Sequence, residues 1–244
     1  MEYRNELKYI VRNIDFNILD LRLKQLMQLD QNIKKSNSYN IRSIYFDDYY
    51  DSFLLQNDAG VDDRFKIRIR IYDKSSDLIK LEIKYKKNGY TKKEACEINE
   101  DLCKKIMNGE FISINDCKDK VLYKFYIEQQ MYLLKPKIIV EYDRTAYTSK
   151  TGNVRITFDK NIRYSREINR FFENNLFSQP IMPIGQDVLE IKYDELLPDH
   201  IASVLELNTL ERMSFSKYYL SRLLCEENLY GNKRCNKADS IIRF

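Results

Sequence analysis

The chain has 244 residues, 43% of them hydrophobic and 32% charged, the balance of a globular protein with a sizeable core and not of a disordered segment. One histidine, His200, excludes every centre that needs two, and six glycines without a G-x-G-x-x-G or Walker-type loop leave any phosphate recognition to side chains. A formal net charge of +4 is too mild to signal nucleic acid by itself, so the placement of the charges matters more than their sum.

In chain order, Tyr3 to Val11 reads as a strand, and Asp15 is placed to cap a helix whose Ile18, Leu19, Leu23, Leu26 and Met27 share a face. Ile41 to Asp47 is the next strand. Arg64 to Tyr72 (RFKIRIRIY) alternates strictly: Phe65, Ile67, Ile69 and Ile71 oppose Arg64, Lys66, Arg68 and Arg70. In Leu78 to Lys86, Ile79, Leu81, Ile83 and Tyr85 oppose Lys80, Glu82, Lys84 and Lys86. Thr91 to Ile98 is a further strand. A helix from about Asp119 to Leu134 carries Leu122, Phe125, Tyr126, Gln129 and Leu133 on one side. Strands follow at Lys137 to Tyr147, at Val154 to Asp159 with Arg155, Thr157 and Asp159 on the polar face, and at Asp187 to Asp194 with Glu190 and Lys192 opposite Leu189 and Ile191. A last helix begins near Ser214, its expected cap, and uses Tyr218, Leu220, Leu223 and Leu224. The count is about eight strands.

No linker, repeat or low-complexity segment divides the chain, and Pro136, Pro180, Pro183 and Pro198 read as element boundaries. We therefore expect one domain over residues 1–244, with a mainly helical insertion around 99–135 and a C-terminal helical segment at 214–230. The five cysteines (Cys96, Cys103, Cys117, Cys225 and Cys235) are odd in number and lack C-x-x-C spacing, so free thiols in a reducing cytoplasm are expected. The opening MEYRNELKYIV has no apolar run, and no stretch approaches the ~20 residues of a membrane span. His200 follows Pro198-Asp199 and is expected in a surface loop. Tyr45, Phe46 and Tyr72 are expected to serve packing, not base stacking.

Strand after strand pairs an apolar face with a charged one. A sheet with one solvated face explains any single strand. The recurrence of Arg, Lys and Glu on interior strands suits a closed barrel whose charged faces line a wet lumen, tolerable only if a polyanion is meant to enter it. Glu6, Glu82, Glu190 and Asp159 would suit a divalent cation shared with phosphates, which needs no histidine.

These segments resemble the VTC (vacuolar transporter chaperone) domain, the polyphosphate polymerase branch of the triphosphate tunnel metalloenzymes (CYTH-like superfamily). ELKYIV at 6–11 is similar to the family's E-x-K strand. SIYFDD, KIRIRIY, LEIKYK, YDRTAY, VRITFDKNIR, VLEIKY and FSKY follow in order, covering almost the whole chain. The resemblance implies an α+β fold, an eight-stranded antiparallel β-tunnel with flanking helices. It implies that Arg68, Arg70, Lys84, Arg144, Arg155 and Lys192 act on the transferring phosphates, that Lys8, Lys93 and Lys217 bind phosphate, and that Glu190 holds Mn²⁺ or Mg²⁺, with Glu6 and Glu82 as further ligands or network partners. Tyr3 and Arg4 stand where the triphosphatase branch has another glutamate, which favours the polymerase branch. The membrane helices and regulatory domain of eukaryotic members are absent from this sequence, so a cytoplasmic, bacterial, stand-alone form is expected.

The expected activity is transfer of the γ-phosphate of ATP to a growing polyphosphate chain. The alternatives are a metal-dependent tripolyphosphatase or NTPase on the same fold, a non-catalytic polyphosphate-binding module, and a nucleic-acid binder using a basic strand face, the last being set aside.

Overall fold

The computed structural model describes residues 4–33, 37–207 and 209–230; of the sequence expectations, Tyr3 and Cys235 lie outside them. Among the described residues ten strands form one antiparallel sheet: β1 (Asn5–Arg12), β2 (Gln28–Leu29), β3 (Tyr39–Asp47), β4 (Arg64–Tyr72), β5 (Ser75–Lys87), β6 (Tyr90–Glu97), β7 (Lys135–Ser149), β8 (Val154–Ser165), β9 (Gln179–Pro180) and β10 (Gln186–Tyr193). The eight long strands run in the order β1-β10-β8-β7-β3-β4-β5-β6, with β2 on β7 and β9 on β8. All eight lie where alternation places them. Tight turns fix the register. Asp73-Lys74 and Asn88-Gly89 both adopt positive φ, joining β4 to β5 and β5 to β6 as two-residue hairpins.

The sheet turns its charged faces inward and its apolar faces outward under helices. Phe65, Ile67, Ile69 and Ile71 of β4 and Ile79, Leu81 and Ile83 of β5 pack with residues of α3 (Glu100–Met107) and α4 (Lys120–Tyr132). Ile67, Ile69 and Ile71 are fully enclosed, and each contributes about 1.5–3 kcal/mol. That burial offsets the cost of holding cations inside. The outer faces of β1, β8 and β10 pack against α1 (Asn13–Leu26) and α5 (Asp199–Leu205). Arg42 lies on an outward face, fully buried, and donates from its guanidinium to the carbonyls of Phe171 and Glu173 at 2.7 Å each.

The tunnel has a seam. Among the described residues no ladder joins β1 to β6; the two edges meet at one bridge between Arg4 and Thr91, with hydrogen bonds of 3.0 and 3.2 Å. The β5–β6 hairpin turns back at Asn88-Gly89 before it reaches the second half of β1. Coil takes that edge instead: Met213 N–H donates to Lys8 O at 2.9 Å and Arg212 bridges Tyr9. The expected closed barrel is thus completed by one bridge and a coil segment, not by a continuous ladder.

The last helix, α6 (Lys217–Tyr230), does not flank the sheet. Its Tyr218, Tyr219 and Leu220 share a cluster with the inward-facing Tyr45, Ile138, Val140 and Tyr142, so it fills part of one end of the barrel. Ser216, not Ser214, caps it: Ser216 Oγ accepts from Tyr219 N–H at 3.2 Å. Asp15 likewise is not a first cap. It sits inside α1 and accepts from Arg12 N–H at 3.1 Å, because the chain turns helical at Asn13, five residues before the apolar pattern starts at Ile18. Leu133 leaves the buried face of α4; it adopts a left-handed conformation that ends the helix and is exposed. His200 is exposed, in the first turn of α5 and not in a loop. Cys96, Cys103, Cys117 and Cys225 are free thiols. Among the described residues no helix is long and apolar enough to cross a membrane.

Candidate functional site

The inward faces enclose a cavity of about 800 Å³. Among the described residues, fifteen lysines and arginines line it against two carboxylates, Glu6 and Glu190. Two more carboxylates, Glu82 and Asp159, lie fully buried behind the lining. These four organise most of the cations into three groups.

Glu82 on β5 faces Arg68 across the β4 ladder. It accepts from Arg68 Nε and from Lys93 Nζ at 2.7 and 2.9 Å, and Arg70 approaches to 3.8 Å. Burial pushes the Glu82 pKa up, but Arg70, Arg68 and Lys93 outweigh it and hold the group well below the usual carboxylate range. Arg68 also donates to Tyr45 Oη at 2.9 Å, and Arg70 to Ser43 Oγ and Tyr142 Oη at 3.3 and 3.2 Å. The two arginine forks are therefore fixed in place before any ligand arrives.

Asp159 on β8 forms a bidentate pair with Arg144 on β7, at 2.6 and 2.8 Å, and receives Lys217 from the start of α6 at 2.5 Å. Burial raises its pKa, Arg144 and Lys217 lower it, and it settles at about 2. Lys217 and Arg144 also lie over the Tyr142 ring, 4.8 and 5.2 Å from its centre.

Glu6 and Glu190 share a third group. Lys8 reaches them at 2.9 and 3.8 Å, Lys192 at 3.9 and 3.3 Å, and Lys84 donates to both oxygens of Glu6 at 2.9 Å. Burial and Glu190 push the Glu6 pKa up, but Lys8, Lys84 and Lys192 bring it to about 2. Glu190 is held well below the carboxylate range by Lys192, Lys8, Lys217 and Lys84, against its burial. Burial pulls Lys84 down to about 8, even with Glu6 beside it. Among the described residues no three His, Cys, Asp or Glu side chains form a metal cage. The Glu6–Glu190 pair suits an ion that takes its remaining ligands from phosphate and water.

The structure thus brings Arg68, Arg70, Lys84, Arg144, Lys192, Lys8, Lys93, Lys217, Glu190, Glu6 and Glu82 together. Glu82 sits behind the lining, saturated by cations. Arg155 also lines the cavity, but at the end where β4 finishes, held by Asp30 and by Tyr39 Oη at 3.1 Å. Tyr45 stacks on Tyr218 at 5.2 Å, and its hydroxyl joins the site, so its role exceeds packing. Sequence reasoning passed over Arg64, Lys66 and Arg212, which also line the cavity. The strict alternation of β4 signals the first two. Arg212 lies in coil and carries no periodic signal.

The chain matches the family model of the VTC domain over residues 3–225. No curated protein matches it. Among solved structures, a candidate adenylyl cyclase from Hippeastrum, described as having a dominant triphosphatase activity, aligns over 91% of this chain and 96% of its own, at 13% identity and a TM-score of 0.54. A candidate adenylate cyclase from Bacillus halodurans aligns over 83% and 86%, at 14% identity and a TM-score of 0.48. A Pyrococcus horikoshii protein aligns over 92% and 99%, at 17% identity and a TM-score of 0.45. At such identities the likeness to the Hippeastrum structure is one of fold alone.

Proposed function

The chain belongs to the VTC domain family, and from that premise we propose that it is a phosphotransferase that binds a nucleoside triphosphate in the tunnel and moves its γ-phosphate onto a polyphosphate chain. The observation that carries this reading is the enclosed cavity with fifteen cations and two carboxylates on its wall. Phosphoryl transfer asks little covalent chemistry of a protein; positioning and charge stabilisation supply most of the rate. Arg68, Arg70 and Arg144 present forks that Glu82 and Asp159 have already oriented, and such forks bind phosphate oxygens bidentately. Lys84, Lys192, Lys8, Lys93 and Lys217 surround the same space and neutralise the chain that forms, and Arg155 joins the grip on the transferring phosphates from the end where β4 finishes. The nucleophile is a terminal phosphate that is already ionised, so no general base is required, in keeping with a site that contains no histidine. Mn²⁺ or Mg²⁺ held by Glu190, with Glu6 beside it, would neutralise charge on the reacting phosphates.

A second reading, a tripolyphosphatase, draws support from Glu6. It is an ionised carboxylate on the cavity wall, suited to orienting a water.

Incubating the protein with ATP and Mn²⁺ or Mg²⁺ and resolving the products separates the readings. ADP with long polyphosphate is expected. Free phosphate without polymer moves the assignment to the hydrolase, and tight polyphosphate binding without turnover moves it to a binding module. Arg70→Ala is expected to abolish turnover while leaving the circular dichroism spectrum unchanged. Wild-type activity in that variant rules the tunnel out as the site.

A further inference from the structure

The four carboxylates of the tunnel are not held alike. Asp159, Glu82 and Glu6 each have a cation close by, at 2.6, 2.7 and 2.9 Å. Glu190 is held more loosely: its cations stand off, Lys192 at 3.3 Å, Arg144 at 3.6 Å and Lys8 at 3.8 Å. Their field keeps it ionised, yet among the described residues no donor reaches it at the length of about 2.7–2.9 Å that a charge-assisted hydrogen bond takes.

The residue beside it is short of a partner as well. Thr157 stands directly opposite Glu190 in the β8–β10 ladder. Arg155 and Asp159, two positions to either side of it on β8, both turn inward, so alternation puts Thr157 on the same wall. It is 2% exposed, and its Oγ1 is buried without a hydrogen-bond partner. On its other side the ladder sets Ala146, which has no polar group to offer. Directly opposed residues hold their Cβ atoms about 4.5–5.5 Å apart. A hydroxyl on one and a carboxylate on the other therefore meet by side-chain rotation alone. An unpaired buried hydroxyl costs stability, and here it lies next to the carboxylate with the loosest partners.

We propose that Thr157 is a positioning residue for Glu190: its hydroxyl donates to one carboxylate oxygen and aims the other at Mn²⁺ or Mg²⁺ arriving with the phosphates. The inference rests on the metal assigned to Glu190 in the proposed function, and it goes further by naming the group that sets that ligand's orientation. The reason is electrostatic. Lys192, Lys8 and Arg144 steady Glu190 in the free protein, but a divalent cation at the carboxylate repels all three, and the phosphates compete for them. A neutral hydroxyl is the donor that stays in place beside a bound cation. Hydrogen-bond partners behind a metal ligand change metal affinity by about 10–100-fold when they are removed.

The test titrates tripolyphosphate calorimetrically into the wild type, Thr157→Val, Thr157→Ser, Glu190→Gln and the double variant Glu190→Gln/Thr157→Val, each without metal and with Mn²⁺. Variants are compared with wild type under each condition separately, so metal binding by the anion itself cancels. Mn²⁺ is expected to tighten binding to the wild type. Thr157→Val is expected to lose about tenfold in affinity with Mn²⁺ and to stay within about twofold of wild type without it. It should melt no lower than wild type, because the hydroxyl it removes has no partner in the free protein. Thr157→Ser, which keeps the hydroxyl, is expected to bind as wild type does. The double variant should lose no more than Glu190→Gln alone, since Thr157 acts through that carboxylate. Wild-type affinity in Thr157→Val with Mn²⁺, an equal loss in Thr157→Ser, or a double-variant loss equal to the product of the single losses overturns the positioning role and leaves the metal at Glu190 standing. A wild-type affinity that Mn²⁺ does not change overturns the metal at Glu190 and this inference together.

Discussion

Lys84 enters the tunnel with both oxygens of Glu6 at 2.9 Å and with Lys8 and Lys192 in the same group. Burial favours its neutral form, Glu6 opposes that, and the balance is a pKa of about 8. The unfolded chain keeps lysine near about 10.4, so from about pH 8 to about 10.4 the unfolded state binds more protons, and this group's contribution to stability rises with pH across that window. Ligand binding has the opposite sign. A polyanion favours the charged ammonium, so affinity is full below about pH 8 and falls as pH rises through it. From about pH 7 to about pH 9 the affinity for tripolyphosphate should drop by up to about tenfold on account of this lysine, with proton uptake on binding in the upper half of the range. Calorimetry in buffers of different ionisation enthalpy reads that uptake. Lys84→Met separates the lysine from the titration of the phosphates themselves, and an identical pH profile in that variant would remove Lys84 from the contact.

At the scale of elements, Asp47 joins three of them. It ends β3, is fully buried, and accepts from the backbone N–H groups of Asp48 and Phe53 at 2.9 Å, from that of Leu54 at 3.0 Å, and from Tyr218 Oη at 2.5 Å. It thereby anchors the start of α2 (Ser52–Asp58) and the first turn of α6 to the sheet. Asp47→Asn turns one acceptor into a donor facing donors. The expected cost is about 2–4 kcal/mol, read as a melting temperature lower by about 5–15 °C. An unchanged melting temperature would mean that α6 is held by its apolar contacts alone. The strands were legible because β4 and β5 alternate without a break, and a period of two has one structural meaning when one face is all Ile, Leu, Phe and Tyr and the other all Lys, Arg and Glu. The position of α6 was not legible. Tyr218, Leu220, Leu223 and Leu224 give the same stripe whether the helix covers an outer face or enters an inner one, and only the ring of Tyr45 beneath Tyr218 decides it. The seam was hidden for a related reason, since Arg212 and Met213 carry no strand pattern yet complete the wall. The site's cations were readable from alternation and from the family's motifs. Which carboxylate holds which cation was not, because Arg68 and Glu82 are fourteen residues apart and meet only through the register of the β4–β5 hairpin.

At the scale of the whole molecule, a net charge of +4 conceals a wall on which cations outnumber carboxylates fifteen to two. The outward apolar faces keep that wall closed against its own repulsion, so the free protein carries a residual electrostatic cost that a polyanion can relieve. A ligand that binds the folded state alone stabilises it by mass action, by about 2.7 kcal/mol at a hundred times its dissociation constant. For a chain of this size that corresponds to a rise in melting temperature of about 5–10 °C. Tripolyphosphate should produce such a shift at low ionic strength, and added salt should shrink it, because the salt both screens the wall and competes for it. The same salt should raise the melting temperature of the free protein. Opposite responses of the free and ligand-bound protein to one salt titration are specific to a self-repelling cavity. If salt instead lowers both melting temperatures in parallel, the ion pairs around Glu82, Asp159 and Glu6 already balance the wall, and the tunnel holds no excess charge for a polyanion to neutralise.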